Sequence, residues 1–239
     1  MFIGIYLMDK ITVTYNDDAV DMYVYSDNAD YVSRMLKYYN NFYEHELLTF
    51  LKHNFTNQRN IIDIGANIGN HSLFFSKYMN CNKIFSFEPF AKNIELFKRN
   101  LSNYKDKCIL FEQALSDKDG KMVLYNTEQN NFGGFSLYKQ EASFEVLAEI
   151  DVTKLDNYNF TDVTLIKIDV ENHELEVLMG SKQTIMNNKP IIVLENNHHY
   201  FSNIFPNPDP HAQIFEEFGY LKLYSNVCNS SMDIWVPIK

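Results

Sequence analysis

The sequence predicts an α/β fold: a mostly parallel sheet covered by helices on both faces, closed by an antiparallel hairpin and preceded by an N-terminal hairpin and helical extension. Three observations predict it. From Asn60 onward, short β-rich apolar runs alternate with segments of helical spacing. The last two runs, Leu221–Tyr224 and Asp233–Pro237, flank an Asn/Ser-rich turn, an ending that a plain alternating domain lacks. The 239 residues are 46% apolar and include 19 Phe and 16 Tyr, enough for one domain core with a modest extension and too many for global disorder.

Each element has its own signal. Ile11, Val13 and Tyr15 alternate with threonines, Asn16-Asp17-Asp18 makes a turn, and Val20, Met22 and Val24 alternate again, so the chain opens with a hairpin. One helical stretch is expected from about Tyr31 to Phe55, with Leu47, Leu48 and Leu51 on one side. Residues 1–58 are read as this extension and 59–239 as the main domain. Ile61–Ile64, Ile84–Phe87, Cys108–Phe111, Leu165–Ile168 and Ile191–Leu194 are the five successive strands. Ile94, Phe97 and Leu101 mark a helix between the second and third. Leu175, Leu178, Met179 and Ile185 mark another after the fourth. Asp209 caps a last helix with Pro210 in its first turn, ending near Gly219. Residues 113–162 are irregular, with an extra β-ribbon expected around Met122–Tyr125.

Charge and cysteines narrow the function. With 21 Lys plus Arg against 31 Asp plus Glu, the net charge of −10 lacks the basic footprint that nucleic acid requires. Cys81, Cys108 and Cys228 are odd in number and form no CxxC, which reads as reduced, cytoplasmic and free of structural zinc. Met1 to Met8 is apolar but stops at Asp9-Lys10, without a basic lead or a cleavage site, so it reads as neither signal peptide nor span. The abundant Asn pairs read as genome bias rather than as a binding feature.

The strongest local signal is Asp63-Ile64-Gly65-Ala66-Asn67-Ile68-Gly69-Asn70, directly after a strand. Its glycines let a turn pass close to a ligand, and the following helix would aim its N–H groups and positive end there. It is neither a GxGxxG fingerprint nor a Walker loop. Few glycines and a strand-end carboxylate suit a zwitterionic amino-acid group better than a pyrophosphate. Gly65→Val is therefore expected to block the ligand while leaving the fold intact. Glu88, at the next strand end, can accept two ribose hydroxyls. Gln113-Ala114-Leu115 offers an amide and an apolar wall to an adenine.

These stretches resemble the FkbM-type methyltransferases of the class I, S-adenosylmethionine (SAM)-dependent kind. The resemblance runs from about Tyr43 to Tyr220, in the order Tyr43-Glu44, IIDIGANIGNHS (61–72), FSFEP (85–89), EQALSDKDG (112–120), FGGFSL (132–137), KLD (154–156), LIKIDVENHELEVLMGS (165–181) and KPIIVLE (189–195). It implies a Rossmann-like, seven-stranded sheet with an antiparallel last strand. It also implies SAM held by the Gly65–Gly69 loop with Asp63, Asn70 and Glu44, its ribose on Glu88 and its adenine near Ala114 and Leu115. The sequence departs from the family at Asn172, where Gly is usual; Asn adopts positive φ, so the turn is expected to survive.

Acceptor chemistry is expected at the ends of the fourth and fifth strands. Asp169 is the first candidate for removing the acceptor proton, also contacting the cofactor, with His198 or His199 assisting as a base near neutral pH. Glu171, His173, Glu195 and Phe135 are candidate acceptor contacts, Phe135 as part of an aromatic lid around Gly133-Gly134. Asp169, Glu195 and Asn196 also form an all-oxygen trio similar to the metal site of the catechol O-methyltransferase type, which would suit Mg²⁺; alternatively, Glu195 hydrogen-bonds the sugar directly. The resemblance implies methyl transfer to a hydroxyl of a sugar, glycan or polyhydroxylated small molecule. Other readings are a different small-molecule acceptor, a non-catalytic SAM-binding scaffold, or a nicotinamide enzyme. Retention of Asp63, Glu88 and Asp169 disfavours the scaffold, and the missing GxGxxG with the antiparallel ending disfavours nicotinamide. The N-terminal sixty residues, with Tyr38-Tyr39 and Phe42-Tyr43, suit either an acceptor cover or a homodimer face.

Overall fold

The computed structural model describes residues 7–27, 30–126, 135–137, 145–196 and 210–238. The chain opens with β1 (Met8–Tyr15) and β2 (Asp18–Tyr25), paired antiparallel in the register Val13↔Val20. Asn16 and Asp17 take φ of +47° and +64°, the left-handed pair that a tight hairpin needs. The expected single helix is two: α1 (Tyr31–Tyr39) and α2 (His45–Asn54). Asp30 caps α1 by accepting the Ser33 N–H at 2.6 Å, and left-handed Asn40 (φ +49°) ends it. Glu44, also left-handed at φ +54°, starts α2, so helical spacing continues across an elbow that the pattern does not reveal.

The main sheet joins β3 (Asn60–Ile64), β4 (Lys83–Phe87), β5 (Cys108–Phe111), β10 (Val163–Ile168), β11 (Ile191–Glu195), β12 (Tyr220–Tyr224) and β13 (Met232–Pro237) in the order β12-β13-β11-β10-β3-β4-β5. All five expected strands and the terminal hairpin are present. β13 alone is reversed, pairing antiparallel with both β11 and β12. The class I arrangement with an antiparallel last strand is therefore the fold.

Strand residues alternate between two cores. Ile61, Leu165 and Val193 face one side, buried with Val13 and Met22 of the hairpin, Leu48 of α2, Phe74 of α3 (Asn70–Tyr78) and Leu96 of α4 (Ala91–Asn100). Ile62, Ile166 and Ile192 face the other, against α5 (Glu174–Gly180), α6 (Lys182–Asn188) and α7 (Pro210–Glu217). The helix expected after Asp169 breaks at Ser181, giving α5 and α6, and Met179 of its apolar stripe is 54% exposed. Pro210 begins α7 as expected and Gly219 follows it at φ +74°; Asp209 lies outside the described residues.

A second, four-stranded sheet extends the irregular region. It orders β6 (Ala114–Leu115), β9 (Glu145–Thr153), β7 (Gly120–Asn126) and β8 (Phe135–Ser136). The expected ribbon is β7, paired antiparallel with β9 in the register Met122↔Ile150. Leu124, Ile150 and Val152 pack with Phe90 into a small core beside the main sheet. Among the described residues no helix is long and apolar enough to cross a membrane.

Candidate active site

A cavity lies along the carboxyl ends of β3, β4, β10 and β11, where open α/β sheets bind ligands. Its floor is organised by Lys167, a β10 residue 2% exposed by side chain. The Lys167 ammonium is 3.0 Å from Asp169 Oδ2 and 3.6 Å from Asp63 Oδ1, and donates to the Gly65 carbonyl at 3.2 Å. Burial works against its charge, but Asp169 and Asp63 outweigh burial and hold its proton more tightly than usual. Asp63 is completely buried and also accepts the Ser72 hydroxyl at 2.6 Å.

The glycine-containing loop differs from expectation in what it offers. The Gly65 and Ala66 N–H groups both donate to the Phe87 carbonyl, at 3.1 and 3.0 Å. Asn67 N–H donates to Glu88 Oε2 at 2.9 Å, Ile68 N–H to Asn67 Oδ1 at 2.6 Å, and Gly69 N–H to the Ala66 carbonyl at 2.9 Å. These donors are satisfied inside the protein, so the loop contributes shape rather than N–H groups. The two glycines likewise answer to packing. A Cβ on Gly65 (φ +76°) would sit 1.7 Å from the Asp169 carbonyl oxygen, and one on Gly69 (φ +89°) 2.6 Å from Leu101 Cδ2. Gly65→Val therefore strikes the β10 strand end before it meets a ligand, which corrects the expectation of an intact fold.

Glu88 ends β4, 5% exposed. Its Oε1 accepts the Phe90 N–H at 2.9 Å and the Asn93 side chain at 3.3 Å, while Oε2 holds Asn67. Burial pushes its carboxyl up to about 7, against the pull of those hydrogen bonds. Beside it Ala114 and Leu115 form an apolar wall, joined by Leu124 and Leu137 from the second sheet. Gln113 is not on this wall; its amide oxygen takes the Tyr158 hydroxyl, which corrects its assignment to the adenine.

The other half of the cavity is acidic. Carboxylate oxygens of Asp169, Glu171 and Glu195 lie within 4.8 Å of one another. Glu171 and Asn172 both take positive φ, +54° and +73°, so Asn at the family's glycine position does keep the turn. Buried Glu174 ties that turn together, accepting the Val170 and Asn172 N–H groups at 3.2 and 3.3 Å. Ser231 donates to Glu195 Oε1 at 3.1 Å, and burial followed by Asp169 and Glu171 raises the Glu195 carboxyl well above its ordinary range.

The remaining candidates divide. Asn70 is on the cavity wall and clamps the elbow, accepting the Tyr43 N–H and donating to the Tyr43 carbonyl, both at 3.0 Å. Glu44 stands behind the wall, its Oε2 3.1 Å from His71 Nε2, and His71 faces the cavity. His173 lines the cavity but is 2% exposed, 3.0 Å from the Ser116 hydroxyl, with burial lowering it to about 4, so it is neutral at ordinary pH. Asn196 is buried and not on the cavity lining; its amide donates to buried Asp233 Oδ2 at 2.6 Å, while Glu171 joins Asp169 and Glu195 there. His198 and His199 lie outside the described residues, as does the Phe135 side chain; the Phe135 backbone pairs with β7.

Sequence reading passed over Lys167, Glu174, His71, Tyr31 and the cavity-lining role of Tyr43. Lys167 left a usable signal. A lysine within an apolar run, in a parallel strand covered on both faces, must be paired with acid. The set now in place fits SAM: an acidic floor for cationic groups, a buried strand-end carboxylate for a ribose, and an apolar wall for a base.

A family model described as the methyltransferase FkbM domain matches residues 63–222. The hexuronic acid methyltransferase AglP of Haloferax volcanii is 25% identical over 131 residues, 55% of this chain and 53% of that protein. The 2-O-methyltransferase NoeI of Sinorhizobium fredii is 25% identical over 142 residues, 52% of this chain and 58% of that protein. The chain therefore spans a little over half the length of these curated relatives. A crystal structure of a methyltransferase FkbM from Methylobacillus flagellatus superposes with a TM-score of 0.49 at 16% identity, covering 75% of this chain and 43% of that one.

Proposed function

The chain belongs to the methyltransferase FkbM family, and from that premise we propose that it transfers the methyl group of SAM to a hydroxyl oxygen of a sugar or other polyhydroxylated small molecule. The family implies SAM as the donor. The observation that carries the reading is one cavity with two unlike halves: Glu88 with its apolar wall, and the convergent carboxylates of Asp169, Glu171 and Glu195. AglP, named for a hexuronic acid, supports a sugar acceptor, and NoeI, named as a 2-O-methyltransferase, supports transfer to oxygen.

SAM supplies an electrophilic methyl on a cationic sulfur. The protein's share is alignment and one proton. Glu88 takes the ribose hydroxyls, and Ala114 and Leu115 take the adenine face. Lys167 pairs with Asp63 and Asp169 at the floor, where two carboxylates against one ammonium favour the donor's cationic groups. Asp169 receives the proton of the acceptor hydroxyl and Glu195 hydrogen-bonds the acceptor, with His198 and His199 as proposed helpers. The test is calorimetry of the purified chain with SAM, S-adenosylhomocysteine and NAD. The first two should bind and NAD should not; NAD binding without SAM binding overturns the reading.

The convergence of three carboxylates favours a second reading of the proton step, in which Asp169, Glu171 and Glu195 would hold Mg²⁺ and the ion would supply Lewis acidity toward the acceptor hydroxyl. Exhaustive EDTA treatment distinguishes the two. Undiminished turnover ends the magnesium reading, and loss restored by added Mg²⁺ supports it.

A further inference from the structure

The family domain begins at residue 63, yet part of the cavity wall comes from earlier in the chain. Tyr31, in the first turn of α1, and Tyr43, in the elbow between α1 and α2, both line it. Their rings meet edge to face, 5.9 Å between centroids and 88° between planes. Tyr31 is 42% exposed, with the Arg34 guanidinium 5.2 Å from its ring centre. The pair is held firmly: Asp30 caps α1, and Asn70 grips Tyr43 through both backbone groups. The same cavity is lined by Asp169, Glu171 and Glu195. An aromatic surface beside convergent carboxylates has a definite chemical match. The C–H face of a sugar ring packs on the aromatic ring, and its hydroxyls donate to carboxylate oxygens.

We propose that Tyr31 and Tyr43, together with Glu171 and Glu195, form an acceptor subsite for a sugar ring that is neutral or bears an amino group, and that it disfavours a uronic acid. The inference rests on the methyl-transfer reading and adds the acceptor's class and the residues that choose it. A carboxylate-bearing acceptor would add negative charge to the Asp169, Glu171 and Glu195 cluster, where burial and crowding already push the Glu195 carboxyl up, and like charges brought together select against a ligand. Because the two tyrosines precede the matched domain, the aromatic part of this subsite can change with the N-terminal segment while the carboxylates and the donor half stay the same.

The test uses the full chain loaded with S-adenosylhomocysteine and three probes at equal concentration: methyl glucoside, its 2-amino-2-deoxy counterpart and methyl glucuronide. Saturation-transfer NMR reads which sugar protons touch the protein. The first two should show transfer to ring C–H protons, and the glucuronide markedly less. Tyr31→Leu should weaken that binding roughly three- to tenfold, the worth of an aromatic contact, without changing S-adenosylhomocysteine affinity; Tyr43→Phe, which keeps the ring, should retain sugar binding. No transfer to any glycoside, equal binding of the glucuronide, or an unchanged signal in Tyr31→Leu overturns the proposal while leaving the donor site standing. Failure of S-adenosylhomocysteine to bind the parent chain overturns the methyl-transfer reading, and this subsite with it.

Discussion

Replacing Glu88 by glutamine keeps the shape and removes a charge at the point where a ribose is expected. Both carboxylate oxygens are already acceptors: Oε2 for Asn67 N–H at 2.9 Å, and Oε1 for Phe90 N–H at 2.9 Å and the Asn93 side chain at 3.3 Å. A glutamine can present an oxygen to only one side, so its NH₂ group faces an N–H on the other. Losing hydrogen bonds to a charged acceptor costs about 1.5–3 kcal/mol, or roughly 10- to 150-fold in affinity for an adenosine ligand. A second signature comes from protonation. Burial holds the Glu88 carboxyl at about 7, so it accepts ribose hydroxyls fully above that pH and loses the capacity as pH falls through it. The ionised fraction falls about tenfold between pH 8 and pH 6, and affinity should fall with it. The suitable probe is 5′-methylthioadenosine, which carries the ribose but no amino-acid group, so that the ligand does not titrate in that range. Calorimetry at both pH values should give an approximately tenfold loss in the parent chain and a flat, weaker profile in Glu88→Gln. An unchanged pH dependence in the variant would refute the ribose assignment. Glu88→Ala is a poorer probe, because it strands the Asn67 and Phe90 N–H groups and so mixes loop stability with binding.

Gly65→Ala should destabilise the fold by about 3 kcal/mol or more, because its Cβ would lie 1.7 Å from the Asp169 carbonyl oxygen at a positive φ; a thermal midpoint like that of the parent chain contradicts this. Lys167→Met removes the cation between Asp63 and Asp169 and should cost about 3–5 kcal/mol in urea unfolding, as expected for a buried ion pair that loses one partner. A change below about 1 kcal/mol would mean that the two carboxylates do not need it. His173, lowered to about 4 by burial, should make the folded chain less stable as pH falls from its ordinary value of 6.5 toward 4, because the unfolded histidine takes up a proton there and the folded one does not. The parent chain should therefore lose stability relative to His173→Gln by up to about 1.4 kcal/mol per pH unit in that window; parallel curves dismiss the assignment.

The sheet was legible because strands covered on both faces are continuous apolar runs, and the strand-end acids Asp63, Glu88 and Asp169 were legible because they follow those runs directly. What escaped depends on partners distant in sequence. Asn196 follows β11 and reads as a cavity residue, but Asp233 on reversed β13 draws its amide away. Gln113 is likewise claimed by Tyr158, and the loop donors from Gly65 to Gly69 are consumed by Phe87, Glu88 and the loop itself. Helical spacing runs unbroken from Tyr31 to Phe55, while the left-handed turns at Asn40 and Glu44 that split it sit where Thr14 holds the Asn40 carbonyl and Asn70 clamps Tyr43. Periodicity reports which face is buried; it does not report a backbone turn that another segment holds in place.

The position of β13 sets a schedule for the chain as it is made. β12 leaves the ribosome first, yet among the described residues its only neighbour in the sheet is β13, which follows it. Until residues 232–237 emerge, β12 has nowhere to pair and the outer edge of β11 stays open, with its backbone groups ready to accept a stray strand. One late insertion then closes the edge, seats β12 and delivers Ser231 to Glu195. The acidic half of the cavity is therefore completed last, in the same step that removes the nascent chain's exposed flank.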